Sequence, residues 1–137
     1  MPDGDSKWDA FITICAVLTS TGHKDRAIDI AISMLNGYKQ CVALQRISMA
    51  LARNGDIEGA VAVAMSIRNL HERWGAFHGI AMAYVRVGDI ETAIDVALSI
   101  HDAYLQGSVL QRMAEVLARH GDADRAIAVA RLISHEL

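Results

Sequence analysis

This 137-residue sequence predicts an all-α solenoid of four two-helix units, and three observations of spacing carry that prediction. Gly22, Gly55, Gly88 and Gly121 stand 33 residues apart without slippage. An alanine follows each of them by five positions: Ala27, Ala60, Ala93 and Ala126. Asp3, Asn36, Asn69 and Asp102 recur at the same interval between the glycines. A fixed period of this length is the signature of stacked helix pairs, none of which can bury its apolar face alone.

Each Asp or Asn is placed to start a first helix, because its side-chain oxygen accepts from unpaired N–H groups of the first turn. The spans expected are 4–21, 37–53, 70–86 and 103–119. Glu72, three residues after Asn69, adds the pattern of a capping box. Each first helix stops at its glycine, which tolerates the left-handed backbone of a helix end. Asp56, Asp89 and Asp122 then cap second helices expected over 57–68, 90–101 and 123–135, with Glu58, Glu91 and Asp124 favoured by the helix dipole. His23 replaces the acid in the first unit, so that turn is expected to be the least well capped.

The apolar residues keep helical spacing. Phe11, Leu44, Phe77 and Leu110 are equivalent, as are Ile14, Ile47, Ile80 and Met113, and Leu18, Leu51, Tyr84 and Leu117. The small residues Cys15, Ser48, Ala81 and Ala114 lie between them. In the second helices the Ala27 and Ala31 series make a ridge of methyl groups that lets a neighbouring helix come close. The units run about 4–36, 37–69, 70–102 and 103–135 within a single domain, 1–137.

Composition narrows the function classes. Apolar residues make up 53% and charged residues 21%, which excludes a disordered chain. The net charge of −3 gives no general attraction to nucleic acid or anionic lipid. No apolar run approaches the ~20 residues of a membrane span, and the start lacks the features of a secretory signal, so a cytoplasmic protein is expected. Cys15 and Cys41 have neither disulfide nor metal spacing.

The pattern Phe77-x2-Ile80-Ala81-x2-Tyr84…Ala93-x3-Ala97 resembles the tetratricopeptide (TPR) repeat, and the resemblance covers about 132 of the 137 residues. The chain departs from the family in three ways. Alanine occupies the place of the family's Phe in every unit, the family's proline is missing, and the period is 33 rather than 34. The resemblance implies a right-handed α-solenoid whose first helices line a concave surface that holds a peptide or partner helix.

Carried over by position, the groove-facing residues include Ile12 and Thr19, then Gln45, Met49, Ala52 and Arg53. His78, Met82, Val85 and Arg86 follow in the third unit, and Gln111, Glu115 and Arg119 in the fourth. Arg53, Arg86 and Arg119 recur one period apart, as a row suited to acidic groups or as last-turn cations that offset the helix dipole. The Lys and Asn pairs with which chaperone-binding members of the family hold a terminal carboxylate are not at these places.

Two further surfaces are candidates for association. The second helix of the second unit, from Ile57 to Ile67, is apolar nearly all round. At the C-terminal end no polar capping helix follows, so Val109, Leu117 and Ile127 are expected to be exposed and to support self-association.

His71 and His78 are two turns apart, about 10 Å, too far to share a metal. No nucleophile–base arrangement and no glycine-rich phosphate loop are present. The reading is a non-enzymatic protein–protein interaction scaffold, without cofactor, with homo-oligomers as one mode of assembly. A nucleic-acid reader resembling pentatricopeptide proteins and a small-molecule accessory domain using His78 and Tyr84 are the alternatives.

Overall fold

The computed structural model describes residues 4–133, with side chains from Ser6 onward. The described residues form eight helices and no strand: α1 (Gly4–Ser20), α2 (Lys24–Ile32), α3 (Gly37–Arg53), α4 (Ile57–Met65), α5 (Leu70–Arg86), α6 (Ile90–Leu98), α7 (Ala103–Arg119) and α8 (Ala123–Ala130). The expected cap at Asp3 and the expected end of the last helix at 135 lie outside the described residues. No helix among them is long and apolar enough to cross a membrane.

Three of the first helices have the expected spans and α1 ends one residue earlier than expected, at Ser20, so that all four are 17 residues long. Their ends repeat one geometry. Gly22, Gly55, Gly88 and Gly121 have φ between +85° and +92°. Beyond each glycine the next N–H reaches back five residues, as in His23 to Leu18 O (2.7 Å) and Asp56 to Leu51 O (2.9 Å). This is the Schellman closure, which satisfies carbonyls that a helix end leaves open.

The caps hold as expected. Asn36, Asn69 and Asp102 each accept from the N–H three residues on at 3.0 Å. Asp56, Asp89 and Asp122 do the same at 2.9–3.1 Å. His23 makes no side-chain cap bond to α2.

The second helices are shorter than expected. α4 and α6 end at Met65 and Leu98, not at 68 and 101, and α8 ends at Ala130. In the first three units a serine follows, and its hydroxyl turns back on the helix. Ser33 Oγ donates to Ile30 O (2.8 Å), Ser66 Oγ to Val63 O (2.6 Å) and Ser99 Oγ to Asp95 O (2.8 Å). Serine competes with the helical ladder in this way. The next N–H groups, of Met34, Ile67 and Ile100, bond only three residues back, a tightened last turn. That turn leaves the Met34, Ile67 and Ile100 side chains buried.

A second periodic device closes the same joints. Gln40 Nε2 donates to Ala31 O (3.1 Å) and Ile32 O (2.9 Å), Arg73 Nε to Ile67 O (2.8 Å), and Gln106 Nε2 to Ile100 O (3.1 Å). These three residues stand 33 apart, each four after a cap, and supply donors to carbonyls left open by the helix before. Arg73→Ala is therefore expected to cost about 1.5–3 kcal/mol, against less than about 0.5 kcal/mol for the exposed Arg68→Ala, measured by urea unfolding.

The chain divides into two compact units, Met1–Ala76 and Phe77–Leu137, the division falling inside α5. In the first, α1 packs on α2 and α3, and α3 packs on α4. In α1 and α3 the small residue sits at the close approach to the alanine ridge. Cys15 Sγ donates to Ala27 O (3.5 Å), and its equivalent Ser48 Oγ to Ala60 O (2.8 Å). All four of these residues are fully buried. Within the second unit α7 packs on α6 and α8, and the core holds Phe77, Ile80, Val96, Leu110, Met113 and Val129.

The first helix departs from the expected core pattern. Ile14 is 44% exposed although Ile47, its equivalent in α3, is fully buried. Ile12 and Thr19, assigned to the groove, are buried instead. α1 turns the Ile12–Cys15–Thr19 side inward, and Thr19 Oγ1 is satisfied by Cys15 O at 2.8 Å. Position in the repeat fixes a helical register, but the neighbours decide which side of the helix is covered.

Candidate partner-binding surfaces

The residues assigned to the groove fall into three environments. Arg53, Arg86 and Arg119 are exposed, each in the last turn of its helix, where a cation also complements the helix dipole. Ala52, Met82 and Val85 are buried, so Met82 offers a partner almost no surface; this corrects its assignment. Met49 is half-buried.

Gln45 is half-buried and committed within its unit. Its Nε2 donates to Glu72 O at 3.5 Å and lies where a Cβ on Gly75 would come within 2.5 Å. Gly75 thus makes room for the Gln45 amide, a reason for glycine inside α5 that helix propensity alone opposes.

In the second unit, Gln111 Nε2 donates to Glu115 Oε2 (3.3 Å), and Glu115 also faces Arg112 at 3.9 Å. Gln111 and Glu115 are exposed, and these contacts are contacts of one helix face. His78 is half-buried, and its imidazole is held below the ordinary histidine range, first by burial and then by the nearby Arg112 charge. The ring is accordingly neutral near pH 7, a hydrogen-bonding group rather than a cation.

Two of the three residues expected to form an open C-terminal surface are not exposed. Val109 is fully buried and Leu117 is 5% exposed, both on the buried face of α7, which packs along α8. Ile127 alone of the three presents surface, at 50%. The apolar helix α4 is intermediate. Ala60, Val63 and Ala64 are buried, Ile57 and Val61 are partly covered, and Ala62 and Met65 face solvent.

Exposed apolar residues recur at the joints between second and first helices. Ile32, Met65 and Leu98 are all exposed at the ends of α2, α4 and α6, and stand 33 residues apart. Six residues beyond each are Tyr38, His71 and Tyr104, again all exposed; Tyr104 is 86% exposed. Beside the first pair, Leu35 is 91% exposed. The same period that located the core was present in these residues, but the assumed longer second helices hid Ile32, Met65 and Leu98 within a helix body.

The first unit holds ion pairs between Lys24 and Asp56 and, at 3.2 Å, between Lys39 and Asp9. A cleft of about 530 Å³ opens beside the start of α2, with Lys24, Arg26, Asn54 and Asp56 on its walls. Within it Lys24 Nζ contacts Asp56 Oδ2 at 2.9 Å, and Asn54 Nδ2 donates to Thr19 O at 3.0 Å. The Lys24 hydrogen bond and the Gly59 N–H hold the Asp56 carboxyl below its usual range. Burial raises the Cys15 thiol, which makes it a packing group rather than a nucleophile. No group of three or more His, Cys, Asp or Glu among the described residues is arranged to hold a metal ion. Compared with protein-family models, curated proteins and solved structures, the chain matches none.

Proposed function

We propose that the chain is a TPR-like right-handed solenoid of four 33-residue units that serves as a non-enzymatic protein–protein interaction scaffold. The repeated local geometry supports the repeat reading: a 17-residue helix, a left-handed glycine, an eight- or nine-residue helix, then, in three units, a donor side chain that closes the joint. The observation that carries the functional reading is the recurring exposed pair at those joints, Ile32 with Tyr38, Met65 with His71, and Leu98 with Tyr104.

Large apolar side chains scattered singly on a surface need no explanation, but recurrence at the period of the fold does. Tyrosine is suited to such a role, since it offers rigid contact area with a polar tip at low entropic cost. The partner favoured by this chemistry is a protein segment with spaced apolar side chains. The exposed arginines Arg53, Arg86 and Arg119 add directed donors for acidic groups of such a segment.

The test is selection of binders from a displayed peptide library, followed by titration of purified variants. Ile32→Ala with Tyr38→Ala is expected to weaken the selected peptide about tenfold or more with little change in melting temperature. Arg53→Ala should have the smaller effect. Recovery of no sequence-specific binder, or binding indifferent to the Ile32 and Tyr38 pair, would contradict the proposal.

A further inference from the structure

The chain has three asparagines, and two of them, Asn36 and Asn54, precede glycine. We propose that Asn36–Gly37 is a site of spontaneous deamidation in the folded protein, while Asn54–Gly55 is protected. The reaction needs the backbone nitrogen of the following residue as nucleophile and the side-chain amide carbon as electrophile, with ammonia as leaving group. The two sites differ at each of these groups.

At Asn36 the nucleophile is available. Gly37 is the first residue of α3, and among the described residues its N–H has no acceptor, as the start of a helix dictates. Nothing lies within 4 Å of where a Gly37 Cβ would be, so a ring closing there meets no neighbour. The electrophile is activated. Asn36 Oδ1 accepts from Lys39 N at 3.0 Å, a donor aimed at the oxygen on which negative charge develops. The positive end of the α3 dipole favours the same charge.

At Asn54 both groups are occupied. Gly55 N donates to Ala52 O at 3.0 Å, and the Asn54 amide nitrogen, which would have to leave, donates to Thr19 O at 3.0 Å. Asn69 is an internal comparison. Its cap bond to Glu72 N matches that of Asn36, but branched Leu70 follows it.

The step balances with water alone. Hydroxide takes the Gly37 amide proton, and the nitrogen bonds to Asn36 Cγ. The Cγ–Nδ2 bond then breaks, and ammonia leaves with a proton from water. Water then adds across one of the two imide C–N bonds. Opening on one side gives aspartate, and on the other isoaspartate.

The aspartate product keeps the fold. Asp102 already occupies the equivalent place and accepts from Leu105 N at 3.0 Å. The new carboxylate lies between the exposed Leu35 and Tyr38. Isoaspartate instead lengthens the main chain at the joint that Gln40 closes.

Trypsin places the three asparagines in separate peptides, 27–39, 54–68 and 69–73, so one digest reads all of them. The native protein is held in mildly alkaline buffer and sampled by mass spectrometry over weeks. The expected result is a gain of about one dalton in 27–39 at a rate roughly tenfold or more above that of 54–68. In denaturant the two Asn-Gly peptides should convert at similar rates. Gly37→Ala, which enters open space, should slow 27–39 to the rate of 69–73 without lowering the melting temperature. Equal conversion of 27–39 and 54–68 in the native protein, or conversion of 27–39 only after denaturation, would overturn the proposal.

Discussion

Phe77→Ala is expected to remove about 3–5 kcal/mol of folding stability, the cost of truncating a fully enclosed aromatic side chain and leaving a cavity. Phe77 heads the fully buried side chains by volume. Its neighbours in sequence leave little room for collapse: Ala76, Ile80 and Ala81 are all buried. A domain of this size has roughly 5–15 kcal/mol in total, so the variant should unfold at much lower urea or not fold at all. Its equivalent Phe11 is only half-buried, and Phe11→Ala should cost distinctly less. Equal losses at the two places would mean that burial does not separate these equivalent residues energetically.

Ala93→Leu should also be strongly destabilising. Ala93 and Ala97 are fully buried on one side of α6, at the methyl ridge that permits close helix approach. Three added carbons have nowhere to go, and overpacking of this kind costs about 1–3 kcal/mol and sometimes more. The same change at Ala62, exposed on α4, should be within about 0.5 kcal/mol of neutral. Chemical denaturation of the two variants side by side checks this. A similar loss at both would mean that helix propensity, not the ridge, sets the cost.

Much of the local structure was legible because local chemistry determines it. A glycine that must take positive φ, an Asx side chain that must receive an N–H, and apolar residues at helical spacing are each recognisable without tertiary information. The ends of the second helices were not legible by that route. Ser33, Ser66 and Ser99 are compatible with a helix interior by propensity, and their return to a helical carbonyl depends on the turn that follows. Gln40, Arg73 and Gln106 were overlooked because they are long polar residues of different types, alike only in reaching the equivalent carbonyls of Met34, Ile67 and Ile100.

The candidate surface was less legible than the fold. Met82 and Val85 were placed by equivalence with a groove, yet they are buried. Val109 and Leu117 were placed on an open end, yet their helix turns them inward. Repeat position specifies which residues are equivalent, whereas exposure depends on what packs there. Ile14 and Ile47 make the point in neighbouring units, equivalent in sequence and opposite in burial.

The central claim, that 33-residue segments are interchangeable structural units, is tested most directly by shortening the chain. Deleting 37–69 joins Asn36 to Leu70 and reproduces the cap-to-helix junction of Asn69–Leu70 one period early. In a quasi-one-dimensional repeat fold the shortened protein should remain helical and unfold cooperatively, though at lower denaturant. Deleting 37–66 instead removes three residues fewer and puts α5–α8 out of period with α1 and α2. Circular dichroism during urea titration of both proteins decides the matter. A cooperative transition for the 37–69 deletion and none for the 37–66 deletion is the predicted result, and equal behaviour of the two would contradict the account.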